Sequence, residues 1–289
     1  MPPTVAVIAT GAMGAAIGAR LHENGVRVIS LLDGRSEASR QRAANAGIEN
    51  ASEAEVAACD IILSVVPPGE AVALAKRLAP ALTASSRKPL YADCNAINPQ
   101  TMHEIEDILR PTGCAVIDGG IIGPPPKPGN LPGSNATRLY VSGPHSERLA
   151  GLRDHGLAVE VMGGKTGDAS ALKMCYGAFN KGVTALGAAV ILAAEREGVA
   201  DALKREWQLS LPQFYAKLDR GIPDMFPKAY RWVAEFEEVA AFAGPGAERE
   251  MFQAIAALYE RLAADVAGDK AETVKLGGFF TGAESARRT

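Results

Sequence analysis

Between positions 173 and 184 the residues Lys173, Tyr176, Gly177, Asn180, Lys181 and Thr184 have both the functional groups and the spacing for chemistry. Offsets of 3, 4, 7, 8 and 11 from Lys173 place them on one stripe of a 3.6-residue helix. Leu172, Met174, Cys175, Phe179 and Val183 fall on the other faces. A solvated face carrying two lysines has the same periodicity as a face turned to a ligand. Gly177 favours the ligand, because glycine inside a helix costs about 1 kcal/mol relative to alanine, a loss more easily understood where something packs close to the backbone. Partial burial beside a cofactor and other cations lowers an ammonium pKa, and the amine can then take a hydroxyl proton as an alcohol becomes a carbonyl. Lys173 is the candidate for that role. Lys181, roughly 12 Å further along by helical rise, would meet a substrate carboxylate or solvent.

Such a step needs a hydride acceptor, and Thr4 to Gly18, TVAVIATGAMGAAIG, is built to hold one. Val5, Val7 and Ile8 suit a buried parallel strand; Gly11 lets the chain turn and Gly14 lets the next helix approach closely. Gly11, Ala12, Met13 and Gly14 open that helix, whose free N–H groups and positive dipole end meet a pyrophosphate without a basic side chain. Ala9 replaces the first glycine of a GxGxxG pattern and narrows the turn. A second strand, Arg27 to Leu32, ends in Asp33, nineteen residues past Gly14, where a ribose-binding acid should fall.

Strand-like runs recur at Asp60 to Val65, Leu90 to Asp93, Ala115 to Asp118, Arg138 to Ser142 and Ala158 to Met162. Helical stretches intervene at Ala12 to Asn24, Ser36 to Ala46, Gly69 to Leu82 and Asn98 to Leu109. The alternation predicts an α/β fold, a doubly wound, mostly parallel sheet of the Rossmann type, over residues 1–165. After Gly163 and Gly164 strand signals stop, and residues 166–289 read as an all-α domain for substrate and dimerisation. It begins with a helix from Thr166 to about Glu197, roughly 45 Å long. Turn signals at Arg220-Gly221-Ile222-Pro223 and Gly244-Pro245-Gly246 are expected to break the rest into a bundle. The Pro-rich segment Pro124 to Gly129 is either a stiff connector or part of a site.

The 289 residues carry 30 basic and 33 acidic side chains, a net charge of −3, which favours neither nucleic acid nor an anionic membrane as a partner. The longest apolar stretch, Gly182 to Ala194, is thirteen residues, shorter than the roughly 20 that span a bilayer, and reads as a buried helix. The N-terminus lacks the features of a signal peptide, so a cytoplasmic location is expected. Cys59, Cys94, Cys114 and Cys175 are dispersed and read as reduced core thiols, with no metal site. His22, His103, His145 and His155 read as solvated surface residues, which weighs against imidazole acid-base chemistry and a serine or cysteine triad.

With these residues in view, the chain resembles the β-hydroxyacid dehydrogenases, the group of 3-hydroxyisobutyrate and 6-phosphogluconate dehydrogenases. IATGAMG at Ile8 to Gly14 is similar to their nucleotide loop, ILSVVPP at Ile62 to Pro68 to their fourth strand and its turn, and DCNAINP at Asp93 to Pro99 to the loop that touches nicotinamide. DGGIIG, Asp118 to Gly123, falls on their substrate loop, and Lys173 within LKMC on their catalytic lysine. The resemblance implies cofactor contacts at Val66, Pro67 and Asn95, and substrate contacts at Gly120, Ile122, Gly123, Tyr176 and Asn180. It also implies a homodimer with interlocking C-terminal helices, and places Tyr230, Arg231, Trp232 and Glu235 near the cleft; an ordinary amphipathic helix with an aromatic core side fits those four as well. GRS at Gly34 to Ser36, IIGPPP, LKMCYGAFNKG and AYRWVAEFEE look like a less characterised branch with its own C-terminal domain. Ile122 stands where that family has a serine and Tyr176 where it has an asparagine, so the lysine chemistry carries over and the substrate does not.

Asp33 suits the free ribose of NAD, whereas Arg35, Ser36 and Arg40 suit a 2′-phosphate; GRS is similar to the pair that accepts NADP, which is the favoured cofactor. The expected activity is oxidoreduction of a small hydroxy acid or related alcohol, with Lys173 as general acid and base. Reduction of a C=N bond on the same fold is the alternative, although imine reductases generally replace the lysine. A cofactor-binding sensor without turnover is the other.

Overall fold

The computed structural model describes residues 2–127 and 137–281. The chain divides into two compact units, Met1–Met174 and Cys175–Thr289, and the division falls inside the long helix.

In the first unit strands and helices alternate: β1 (Thr4–Ile8), α1 (Ala12–Glu23), β2 (Arg27–Ser30), α2 (Glu37–Asn45), β3 (Ile48–Asn50), α3 (Glu53–Ala57), β4 (Ile61–Ser64), α4 (Ala71–Ala84), β5 (Leu90–Asp93), α5 (Pro99–Leu109), β6 (Val116–Ile122), β7 (Arg138–Ser142) and β8 (Ala158–Gly163). They form one eight-stranded sheet in the order β3-β2-β1-β4-β5-β6-β7-β8, in which only the β6–β7 pairing is antiparallel. The first six strands in space are thus a Rossmann sheet whose order reverses between β1 and β4, where such sheets bind ligands. Alternation along β1 shows why both faces are covered. Val5 and Val7 pack with Ile17 and Leu21 of α1, whereas Ala6 and Ile8 belong to the opposite layer with Leu74, Leu78, Met102 and Ile105 of α4 and α5.

Local chemistry starts most of these helices. Ser36 caps α2, Ser52 and Glu55 form a reciprocal capping box on α3, and Asn98 accepts from two N–H groups at the start of α5, where Pro99 fills the first position. The N-terminus of α1 has no side-chain cap and no acid in its first turn. Two short elements escaped the sequence reading, β3 and α3, each too short to show a period. β6 also runs on through Gly119 to Ile122, residues expected in a loop. Ladders with β5 on one side and β7 on the other hold this glycine-containing run extended, so pairing overrides its weak strand propensity.

The long helix α6 (Asp168–Arg196) leads into the second unit, followed by α7 (Ala200–Ser210), α8 (Pro212–Met225), α9 (Ala229–Ala243), α10 (Ala247–Ala267) and α11 (Ala271–Thr281). Within that unit Ala185, Ala188 and Ile191 of α6 pack with Leu218, Ile222, Trp232, Phe236 and Tyr259. Four sequence expectations are corrected here. The stretch Gly182 to Ala194 is buried along one side only, because Leu186 is 65% and Val190 36% exposed. By length and composition α6 is long and apolar enough to cross a membrane, the only such helix among the described residues. Cys175 is exposed, whereas Cys59, Cys94 and Cys114 are core thiols. Arg220 to Pro223 does not interrupt the bundle: Pro223 lies inside α8, and the break comes at the 3-10 turn Phe226–Lys228. Of the Pro-rich segment, Pro124 to Lys127 lie largely at the surface, with the Lys127 carbonyl accepting from Arg20, while Pro128 and Gly129 lie outside the described residues.

Gly14 and Gly11 make a contrasting pair. A Cβ on Gly14 would stand 1.9 Å from the backbone oxygen of Ala9, a clash no side-chain rotation relieves, whereas a Cβ on Gly11 would meet nothing within 4 Å. Gly11 has φ −68°, open to any residue, so the tight turn expected of it is not why glycine stands there. Gly14→Ala is therefore expected to destabilise the protein by about 1 to 3 kcal/mol, the usual cost of overpacking, despite alanine's helical preference. Gly11→Ala should leave thermal unfolding unchanged and weaken dinucleotide binding, because its methyl occupies the space in front of the helix. Paired melting curves and binding titrations check both.

Candidate functional site

Four of the expected cofactor segments line up along adjacent strand ends. Asp33, Arg35 and Ser36 follow β2, Gly11 to Gly14 follow β1, Val66 and Pro67 follow β4, and Asn95 follows β5, in the spatial order of the sheet. Each connects a parallel strand to the next helix, so all four open on the same edge.

The turn after β1 is braced from α2. Arg42 donates through Nε to the Thr10 carbonyl at 3.0 Å and through Nη2 to Ser39 Oγ at 3.0 Å, and Thr10 Oγ1 donates to the Ser39 carbonyl at 3.1 Å. These contacts hold the turn while its N–H groups stay uncapped by side chains, and with the open space before Gly11 they fit an approaching pyrophosphate. Arg42 and Thr10 were not read from sequence, since a lone arginine on an amphipathic helix carries no signal of what it touches.

At the end of β2, Asp33 Oδ1 accepts from Asn50 Nδ2 at 2.9 Å, and Asn50 Oδ1 accepts from the Leu32 N–H at 3.0 Å. The Ser36 hydroxyl is engaged with Ser39 in the α2 cap. Arg40 pairs with Glu37 at 2.7 Å at the surface and donates to the Arg35 carbonyl. Arg35 is half-buried as a residue, and its guanidinium has no hydrogen-bond or ion-pair partner among the described residues.

Asn95 is buried and its side chain is occupied within the protein. Oδ1 accepts from the Val66 N–H at 2.7 Å, while Nδ2 donates to Ser64 Oγ and to Asp93 Oδ2, both at 2.8 Å. It clamps the ends of β4 and β5, with both hydrogens of its amide spent within the protein. Asp93 is fully buried, and that burial pushes its carboxyl up to about 7, against the pull of the Asn95 hydrogen bonds. Asp118, its register partner on β6, adds to the rise by like-charge repulsion.

β6 and the first turns of α6 bring the expected lysine and part of the expected substrate loop together. A Cβ on Gly120 would lie 2.9 Å from the Ala169 carbonyl and 3.3 Å from Lys173 Cβ, so only glycine lets α6 settle this closely on the strand. The Lys173 ammonium donates to the Ile121 carbonyl. Burial lowers its pKa from 10.5 to about 8. Gly120 and Ile122 are therefore strand residues; Ile122 is buried opposite Arg138 of β7, and Gly123 follows the strand with φ 125°.

The second unit contains the rest of the stripe. Tyr176 is 48% exposed, and a Cβ on Gly177 would meet nothing within 4 Å, so crowding within the chain does not explain that glycine. Asn180 Oδ1 accepts from Lys217 Nζ at 2.8 Å, and its Nδ2 donates to the Tyr176 carbonyl at 3.0 Å. Lys181 pairs with Glu235 and lies over the Trp232 ring at 5.3 Å. Trp232 itself stacks edge-on against Tyr259 in the core, while Tyr230 and Arg231 are exposed. Lys181 and Glu235 thus answer each other, and Trp232 is a packing residue. Lys217 was not singled out from sequence, where it is one basic residue of an amphipathic helix.

Comparison with known proteins agrees with this architecture. Residues 4–135 match the NAD binding domain of 6-phosphogluconate dehydrogenase, and residues 194–262 match a domain of unknown function, DUF1932. An uncharacterized 28.5 kDa protein of Methanothermus fervidus is 28% identical over 183 residues, 62% of this chain; the match spans 66% of that relative. The conserved protein MTH1747, described as structurally similar to 3-hydroxyacid dehydrogenases, superposes with a TM-score of 0.69 at 26% identity, covering 94% of this chain and 99% of that one. Mycobacterium tuberculosis 3-hydroxyisobutyrate dehydrogenase superposes with a TM-score of 0.68 at 21% identity, covering 92% and 96%. Imine reductases are also found on this fold. The chain therefore joins an NAD-binding domain of the 6-phosphogluconate dehydrogenase kind to a C-terminal DUF1932 domain, on the fold shared by 3-hydroxyisobutyrate dehydrogenase-like proteins.

Proposed function

We propose that the protein is an NAD(P)-dependent oxidoreductase that interconverts a small hydroxy acid, or a related alcohol, with its carbonyl form. The observation that supports this most is Lys173, half-buried, with its amine held against β6 and oriented by the Ile121 carbonyl. A bound dinucleotide supplies the hydride donor or acceptor. In oxidation, neutral Lys173 accepts the substrate hydroxyl proton at Nζ; in reduction, its ammonium returns a proton to the carbonyl oxygen. Buried Ile122 offers an apolar surface where a serine is usual, so a less polar substrate side than in 3-hydroxyisobutyrate dehydrogenases follows from it. NADP is preferred in this reading, because Arg35 is an unengaged guanidinium beside the expected ribose site. The protein acts as a homodimer, a proposal that the exposed Phe179 and Leu186 on α6 support.

Three measurements test the reading. With NADPH and a panel of aldehydes, oxo acids and cyclic imines, Lys173→Ala should lower carbonyl turnover by about 10²- to 10⁴-fold, the usual worth of a general acid, while dinucleotide affinity changes little. Cyclic imines reduced equally well by both proteins would overturn the alcohol reading in favour of C=N reduction, and the absence of any turnover would leave a dinucleotide-binding sensor.

The pH dependence has a definite sign. An amine titrating near 8 is neutral above that pH, so kcat/KM for alcohol oxidation should rise toward pH 8 and level off. Carbonyl reduction should fall above it. Opposite limbs would assign the proton to another group.

Arg35→Ala should weaken NADPH binding by about tenfold or more, as loss of a charge-assisted hydrogen bond of about 1.5 to 3 kcal/mol requires, and leave NADH nearly unchanged. Fluorescence titration of both nucleotides checks it, and equal losses would remove the preference for NADP.

A further inference from the structure

Asp118 is fully buried on β6, yet none of its hydrogen-bond partners is a cation. Oδ2 accepts from Ser142 Oγ at 2.8 Å and from the Gly167 and Ser170 N–H groups, each at 3.0 Å. Oδ1 accepts from Ser170 Oγ at 2.6 Å. Ser142 Oγ accepts in turn from the Ala169 N–H at 2.9 Å, and the Asp168 N–H bonds the Lys165 carbonyl. Every N–H from Gly167 to Ser170 at the start of α6 is thereby satisfied, with the carboxylate at the positive end of the helix.

This arrangement differs in kind from the local caps on α2, α3 and α5. Those serines and asparagine fix a helix to the residue before it, whereas Asp118 lies 49 and 52 positions from the groups it holds. It fixes α6 to a particular strand at a particular register. Two residues along that strand, Gly120 admits the helix, and the next residue, Ile121, accepts from Lys173. Ser170 is one helical turn before Lys173. A buried carboxylate is costly unless fully hydrogen-bonded, and an apolar contact would hold a helix end without that cost. The carboxylate adds direction.

We propose that Asp118 is the positioning residue of this site, fastening the first turn of α6 so that half-buried Lys173 keeps its amine against the Ile121 carbonyl of β6. The inference rests on the reading of Lys173 as the proton-exchanging group. Unfastening the turn exposes the amine further to solvent and raises its titration point. Loss of a neighbouring negative charge alone would lower it, so the direction of change separates positioning from electrostatics.

Lys173 can be titrated without any substrate, from the pH dependence of its acylation by acetic anhydride, read by mass spectrometry of its peptide. In the parent protein the midpoint should lie near 8. In Asp118→Ala it should move up toward 10.5, while in Asp118→Asn, which keeps the acceptor for the backbone N–H groups, it should stay close to the parent. Where Asp118→Ala does not accumulate as folded protein, Ser170→Ala removes only the 2.6 Å bond and should shift the midpoint upward by a smaller amount. An unchanged midpoint in a folded Asp118→Ala or Ser170→Ala protein overturns the positioning role, as does an Asn variant that moves as far as the Ala variant. A parent midpoint at the ordinary lysine value instead overturns the reading of Lys173, a different failure from either.

Discussion

The close fit of α6 against β6 is the constraint on which the rest of the first unit's chemistry depends. Three consecutive features of one strand make it: a buried carboxylate that takes the helix N-terminus, a glycine that admits the backbone, and a carbonyl that accepts the amine. A side chain at residue 120 would push the helix outward from the strand, stretching the Asp118 bonds and freeing Lys173 to water.

The dinucleotide side follows a different logic, in which groups are left open. α1 has no side-chain cap where α2, α3 and α5 have one, and the space before Gly11 is free, while Arg42 and Asn95 hold neighbouring turns in place. Rigid turns with unspent N–H groups form a preorganised anion site, because binding then orders little that is not already ordered. In the proposed reading such a site meets the phosphates through the backbone, and selection between ribose and its 2′-phosphate would fall to Asp33 and Arg35.

How far the sequence could be read follows the range over which each signal acts. The strand-turn-helix of the nucleotide loop is local, and Val5, Val7, Gly11 and Gly14 announce it within a dozen residues; the parallel sheet and the long helix are equally visible as periodicity. Long-range pairing is not. Nothing near Lys181 reveals that Glu235 answers it, nothing near Asn180 points to Lys217, and the DGGII run reads as loop until β5 and β7 flank it. Asp118 left a faint trace, an acid at the edge of an apolar strand pattern, since a charge in such a place must have partners. Which partners these are depends on the crossing of β6 and α6, and that is a tertiary fact.

The choice of partner for Lys173 also bears on what the amine can do. A carboxylate beside it would hold the ammonium charged and drive its pKa up, making it a poor base near neutrality. A backbone carbonyl orients the same nitrogen through its N–H while contributing no net charge, so burial acts almost unopposed and brings the pKa to about 8. The two buried acids of β5 and β6 have other partners. Asp118 faces the helix N-terminus and its serines, and Asp93 is tied to Asn95 and raised toward 7 by its own burial. Neither acid is hydrogen-bonded to the amine, which is left to titrate near 8.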